Sequence, residues 1–120
     1  MGAITIGTSK YTTVYSLDEK GAGGAHHKYE VLINEPTGVV RERVATVNFQ
    51  KGGIVESGVN GCHNEDLLAI VVHRLQCFQD GPFACRENAL ALTKIEEALH
   101  WLRHRTNSRE ARGVEGVLVP

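Results

Sequence analysis

The stretch that decides the fold is NEDLLAIVVHRLQCFQDGPFACRENALALTKIEEALHWL, residues 64–102. Its first part repeats apolar residues at intervals of four and three, as in Leu68, Val72 and Leu75, which is the spacing of one helix face. The last part of the stretch also repeats apolar residues at intervals of three and four. The apolar residues of that second seam are Leu92, Ile95, Leu99 and Leu102. The spacing therefore predicts two amphipathic helices.

A short bend, QDGP at residues 79–82, separates the two helical patterns. Gly81 suits the end of the first helix and Pro82 suits the start of the second. Upstream, His63 or Asn64 is placed to cap the first helix. Because so short a link leaves no room for a crossover, the two helices must be antiparallel neighbours.

The N-terminal half has a different pattern, rich in Val, Ile, Thr and Tyr, which favours strands. Its four runs are AITIGTS, YTTVYSL, KYEVLIN and VVRERVATVNFQ. The turn-forming stretches GAGGAHH and NEPTG separate the runs, and such short connections predict an antiparallel meander. We therefore expect an α+β fold in a single domain, residues 1–120. An antiparallel sheet of about four strands occupies 1–57, and an antiparallel two-helix hairpin with a C-terminal tail occupies 58–120.

Composition and charge exclude several classes of protein. The chain has 120 residues, of which 42% are hydrophobic and 22% charged, as in an ordinary globular domain. Its formal net charge of −1 gives no global field to attract nucleic acid. No apolar run approaches the roughly 20 residues of a membrane span, and the first residues, MGAITIGTSK, do not resemble a signal peptide. We expect a cytoplasmic protein without nucleic-acid or membrane partners.

Metal binding and catalysis have little support in the sequence. Three cysteines and several histidines occur, but no pair of cysteines has the C-x2-C spacing of a zinc site. His100 and His104 are one turn apart, without the adjacent Glu of the metalloprotease helix motif or an obvious third ligand. There is no G-x-S-x-G motif and no phosphate-binding loop. We expect no metal, no cofactor and no catalytic residue.

The arginine-rich exit of the second helix, WLRHRTNSREARGVEG at residues 101–116, is unusual because four arginines accompany a single acid between positions 103 and 112. Arg105 and Arg109 are four residues apart, so they share a face if the helix continues, and a paired guanidinium face suits a phosphate or diphosphate. A solvated helix end, whose cations complement the helix dipole, explains the same pattern. The tract alone leaves both interpretations open.

The bend FQDGPFACREN, residues 78–88, is the second unusual stretch. Phe78 and Phe83 flank the turn, and Asn88 follows about one turn into the second helix. An aromatic ring that stacks on a base, with an amide that reads a base edge, is a recognised way to hold a nucleotide. Two phenylalanines that cap the hairpin core are an equally good interpretation.

Taken together, residues 58–116 resemble a known family. The stretches that carry the resemblance are GVNGCHNEDLLAIVVHRLQCFQDGPFACRENALALTKIEEALHWL and RTNSREARGVEG, above all the combination of FQDG, EN and RT…R…RGVEG. They resemble the type one Thoeris anti-defence proteins of bacteriophages, which share a helical hairpin with the phage anti-CBASS nucleotide sponges.

The resemblance implies a sponge that acts in the cytoplasm of an infected bacterium. Proteins of this family sequester the glycocyclic ADP-ribose signal of Thoeris without degrading it, and some also bind cyclic di- or trinucleotides in separate sites. They assemble as homodimers or as hexamers, trimers of dimers. The family pattern places ligand-binding residues at Phe78, Asn88, Arg105 and Arg109, and it implies no enzymatic activity.

The site assignment has a geometric consequence. Asn88 and Arg105 are seventeen residues apart, which is about 25 Å along a continuous helix. One small nucleotide cannot reach both residues in one chain, so a pocket that uses both requires two copies. Two other classes remain open: a hydrolase or lyase that destroys such a signal with His100 or His104 as acid or base, and a hairpin that binds nucleic acid or protein through its arginines.

Overall fold

A computed structural model describes residues 2–7, 10–34 and 42–120 of the chain. Its contacts separate into two compact units, residues 1–62 together with Pro120, and residues 63–119. The sheet belongs to the first unit and the helical hairpin to the second. That the two units make a single domain stays a prediction.

The first unit contains an antiparallel sheet in which consecutive strands are neighbours. Its described strands are β1 (Gly2–Ile4), β2 (Thr12–Ser16), β3 (Lys28–Ile33) and β4 (Arg43–Asn48). The meander predicted from the β-branched and aromatic runs is therefore confirmed. A β-bulge between Val31 and Leu32 shifts the register of β3 against β4. The predicted turn NEPTG lies, from residue 35 onward, outside the described residues.

A polar anchor holds the connection between β2 and β3. The Asp18 carboxylate accepts hydrogen bonds from the backbone N–H groups of His27 (3.0 Å) and Lys28 (3.1 Å). Partial burial raises the pKa of Asp18, but these backbone donors outweigh it, so the pKa lies below its ordinary value of 3.8. His26 Nδ1 adds a 2.6 Å hydrogen bond to the Asp18 carbonyl oxygen. The turn predicted over GAGGAHH forms here, with a 3-10 helix at Ala22–Gly24.

The chain returns to the end of the sheet after a short helix, α1 (Ile54–Ser57), which the sequence patterns did not predict. Cys62 N donates to the carbonyl of Asn48 at 2.8 Å, and Gln50 N donates to the carbonyl of Cys62 at 2.8 Å. Gly61 fits this close approach because a Cβ there would lie 2.4 Å from the backbone carbon of Phe49.

The second unit is the predicted helical hairpin. Helix α2 spans Asn64–Gln79 and helix α3 spans Arg86–Ala111, and the two pack against each other. His63 is the N-cap of α2, as one of the two predicted candidates. Its N–H donates to the Asp66 carboxylate at 2.8 Å. The predicted start of the second helix at Pro82 is wrong: α3 begins four residues later, after an N-cap at Cys85.

The predicted seams lie inside the hairpin, since each of their side chains is at least partly covered. They are Leu68, Val72, Leu75, Leu92, Ile95, Leu99 and Leu102. Even so, no hydrophobic side chain in the described part of the chain is fully buried. Nor is any helix in the described ranges both long enough and apolar enough to cross a membrane.

Candidate functional site

The bend of the hairpin is closed by a side chain rather than by its glycine. Gln79 Nε2 donates to the carbonyl of Cys85, and Gln79 Oε1 accepts from Cys85 N, both at 3.1 Å. Cys85 Sγ in turn accepts from the backbone N–H of Asn88 at 3.4 Å. These bonds fix the last turn of α2 against the first turn of α3, so Phe78 and Asn88 lie at the same end of the hairpin. Sequence reasoning missed Gln79.

Phe78 is half-buried in the last turn of α2, and a cationic side chain lies over its ring. The Arg74 guanidinium carbon lies 5.0 Å from the ring centroid, a cation–π contact between residues one turn apart. Phe83, the other aromatic side chain of the bend, is 75% exposed and therefore caps no hydrophobic core. The i,i+4 spacing of Arg74 and Phe78 is the signal that could have identified this pair from the sequence.

Asn88 is half-buried in the first turn of α3. Its backbone N–H serves the helix cap, whereas its side-chain amide has no hydrogen bond with any residue that the structure describes. A partly covered amide without a protein partner is available to a ligand. The bend thus presents a ring, a guanidinium and an amide that together suit a base edge and an anionic neighbour.

Arg105 lies at the opposite end of α3 and is exposed. Its guanidinium forms no hydrogen bond or ion pair within residues 2–7, 10–34 and 42–120, so its donors are available. One turn earlier, Trp101 is 60% exposed. Its ring makes edge contacts with His100 and His104, at 5.7 Å in both cases. The sequence analysis assigned no role to Trp101.

Arg109 differs from Arg105, because it is the one residue of α3 that is buried, with 8% of its surface exposed. Nη1 donates to the carbonyl of Val119 at 2.7 Å, and Nη2 donates to those of Val114 and Val117, both at 2.8 Å. We call this set of three bonds the tail clamp. It folds the C-terminal tail back onto the last turns of α3.

Helix α3 continues through both residues, so Arg105 and Arg109 share a face as predicted. Within the described residues, only one of the two guanidinium groups is free of hydrogen bonds and ion pairs. The carboxylate of Glu115 lies 3.4 Å from Arg109 Nε, so a local acid already faces this arginine. Arg105 thus presents a free guanidinium, whereas the guanidinium of Arg109 is bound to the tail. That both arginines bind a ligand stays a prediction.

The structure does not bring the four predicted site residues together in one chain. Helix α3 has 26 residues without a break, a length of about 39 Å. Phe78 and Asn88 lie at the bend, whereas Arg105 and Arg109 lie at the exit, about 25 Å and about 32 Å from Asn88 along the helix. The bend of the hairpin is therefore aromatic and polar, and its exit is cationic.

In the part of the chain that the structure describes, the other cysteine, histidine and acidic side chains form no metal-binding cluster. Cys62, Cys77 and Cys85 are free thiols. Among the described residues, no group of three or more His, Cys, Asp or Glu side chains lies close enough to share a metal ion.

The described chain thus combines an antiparallel sheet with a helical hairpin. The bend of the hairpin presents an aromatic ring and an amide, and its exit presents a guanidinium. The family model of the Acb2/Tad1 hairpin domain matches residues 41–106. Thoeris anti-defense 1 from Bacillus phage SBSphiJ7 is 62% identical over 75 residues, which cover 62% of this chain and 53% of that protein. The chain therefore spans about half the length of this curated relative.

Because the family match extends over more than half of the chain, the chain belongs to the Acb2/Tad1 hairpin family. The resemblance to the Thoeris anti-defence proteins, predicted from FQDG, EN and the arginine tract, is confirmed.

Proposed function

We propose that the chain is a phage anti-defence protein that binds a cyclic nucleotide immune signal and sequesters it without degrading it. The proposed ligand is glycocyclic ADP-ribose, with cyclic di- or trinucleotides as further candidates. The similarity to Thoeris anti-defense 1 supports the anti-defence role. The protein would act in the cytoplasm of the infected bacterium.

The observation that carries this proposal is the division of the hairpin into two complementary ends. At the bend, the Phe78 ring and the unpaired Asn88 amide suit a nucleobase, by stacking and by hydrogen bonding. At the exit, the unpaired Arg105 guanidinium suits a diphosphate. An ADP-ribose derivative contains both of these groups. Since they lie about 25 Å apart in one chain, a complete pocket requires the bend of one copy and the exit of another.

A two-fold pair of antiparallel hairpins would place each bend beside the other copy's exit and would form two equivalent pockets. Exposed apolar side chains on both helices support such an assembly. Ile70 on α2 is 64% exposed, and Leu90 on α3 is 47% exposed. An interface formed by the two helices would remove these side chains from water. The proposed unit is a homodimer, or a hexamer built from three dimers.

Sequestration without turnover is tested by recovering the ligand. The protein is saturated with glycocyclic ADP-ribose, freed of unbound ligand by gel filtration, and denatured, and the released molecule is identified by mass spectrometry. We expect unchanged ligand in a fixed ratio to protein, even after long incubation. A processed product that accumulates beyond one equivalent would reject sequestration in favour of the alternative, a hydrolase or lyase.

The site assignment is tested by calorimetry with three variants and matched controls. Phe78→Ala, Asn88→Ala and Arg105→Ala should each weaken binding about tenfold or more, as expected for a lost stacking partner, base contact or charge-assisted hydrogen bond. The controls change the same residue types elsewhere in the hairpin: Phe83→Ala, Asn107→Ala and Arg103→Ala. If each variant binds like its control, the site is wrong.

A further inference from the structure

Arg109 has one nitrogen that the tail clamp leaves without a carbonyl partner. Both hydrogens of Nη2 and one of Nη1 are directed to carbonyl oxygens. The Nε atom instead forms an ion pair with the Glu115 carboxylate, whose Oε2 lies 3.4 Å away. The backbone therefore holds one side of the guanidinium, whereas a carboxylate on a rotatable side chain occupies the other.

Burial differs sharply between the two partners. The Arg109 side chain is 9% exposed and the Glu115 side chain 39% exposed, so the carboxylate lies on the solvent side of the cation. An anion that approaches Arg109 from solvent therefore meets Glu115 first. Rotation of the Glu115 side chain would return its carboxylate to water and free the Nε edge.

The tail does not depend on Glu115 for its position. Val114 N donates to the carbonyl of Arg109 at 3.1 Å, and Val117 N donates to that of Val114 at 3.2 Å. Together with the tail clamp, these backbone bonds fix the tail independently of the carboxylate. Replacing Glu115 by its neutral isostere should therefore leave the fold of this region unchanged.

We propose that Glu115 is a built-in competitor for the anionic group of the ligand: it occupies the Nε edge of Arg109 until a phosphate displaces it. This inference rests on the proposed function. A single partly exposed ion pair contributes little, whereas a phosphate oxygen can accept a charge-assisted hydrogen bond from Nε–H. The exchange therefore favours the diphosphate, and Glu115 reduces its affinity without preventing its binding. Arg109 then serves the ligand through this edge while its other nitrogens continue to hold the tail.

The test is calorimetric titration of glycocyclic ADP-ribose into the full chain and into Glu115→Gln. Removing the competing charge should lower Kd about two- to fivefold, the range expected for one partly exposed ion pair, with the melting temperature unchanged. Glu110→Gln is the matched control, since it removes an equal charge near the end of α3 from a side chain that forms no hydrogen bond or ion pair with Arg109. We expect its Kd to equal that of the wild type.

Several outcomes would overturn the inference. An unchanged or raised Kd for Glu115→Gln would show that the carboxylate does not compete. An equal gain in affinity in Glu110→Gln would show a general effect of charge rather than a local one. In both cases the wild type still binds, and the proposed function stands. A wild type that does not bind glycocyclic ADP-ribose would reject the proposed function and the role of Glu115 with it.

Discussion

The tail clamp makes Arg109 a stabilising residue of the hairpin, and its removal has a calculable effect. In Arg109→Ala, the carbonyls of Val114, Val117 and Val119 lose a charged donor at 2.7–2.8 Å. A hydrogen bond to a charged group contributes about 1.5–3 kcal/mol. Because water can reach the released tail carbonyls, we take about 1 kcal/mol for each. The expected loss is then about 3 kcal/mol, or a melting temperature lowered by about 10 °C for a chain of this size.

Differential scanning calorimetry at one fixed protein concentration measures the effect, because the stability of an assembly depends on concentration. Arg105→Ala is the matched control: it removes the same side chain one turn earlier, where it forms no hydrogen bond or ion pair with a described residue. It should change stability by less than about 0.5 kcal/mol. Arg109→Lys should fall between the wild type and Arg109→Ala, since an ammonium group lacks the planar fork of a guanidinium.

Hydrogen exchange shows which part of the chain is destabilised in Arg109→Ala. Amides of the tail, residues 114–119, should exchange faster in Arg109→Ala, whereas those of α2 should not. If Arg109→Ala and Arg105→Ala lower the melting temperature equally, or if tail exchange is unchanged, the assignment of Arg109 to the tail is refuted.

Two further predictions concern the sheet unit. The ionised Asp18 carboxylate stabilises the fold because its pKa is depressed; this contribution is complete above the ordinary value of 3.8 and is lost as the pH falls through the lower, folded value. Asp18→Asn should therefore have a lower melting temperature than the wild type at pH 7, and this difference should narrow below pH 3.8. A difference in melting temperature that does not change with pH would contradict this. Gly61→Ala should destabilise strongly, by about 2 kcal/mol or more, because its Cβ would lie 2.4 Å from backbone. Gly81→Ala, whose Cβ would meet only an ordinary contact at 3.6 Å, should melt like the wild type.

The sequence predicted the hairpin well because helical spacing depends on local periodicity. The repeats of Leu68, Val72 and Leu75 in α2, and of Leu92, Ile95 and Leu99 in α3, identify the faces that the structure packs together. The strands were also predictable, since their β-branched runs are separated by clear turn signals.

The ends of the elements were less predictable because side chains decide them. Gly81 and Pro82 suggested where the bend begins and ends, but the bonds between Gln79 and Cys85 set its geometry, and no propensity scale contains such a pair. Similarly, the charge pattern of the sequence did not distinguish Arg105 from Arg109. Only the fold of the tail shows that Arg109 is bound to carbonyls, since the partners are backbone groups whose position the sequence does not specify.

The measurement that tests the shared pocket most directly is complementation between defective copies. Phe78→Ala and Arg105→Ala, one at the bend and one at the exit, should each weaken binding about tenfold or more, so neither variant fills its pockets at ligand concentrations near the wild-type Kd. When the two variants are unfolded, mixed in equal amounts and refolded together, half of the dimers are mixed, and each mixed dimer has one intact pocket, so about one quarter of the pockets should bind again. Phe78→Ala mixed with Asn88→Ala is the control, because two bend variants never form an intact pocket.

If the pocket is shared between copies, we expect about one quarter of the sites to recover in the first mixture and none to recover in the control. No recovery in either mixture, or full-affinity binding by a wild-type monomer in light scattering, would contradict a pocket shared between copies.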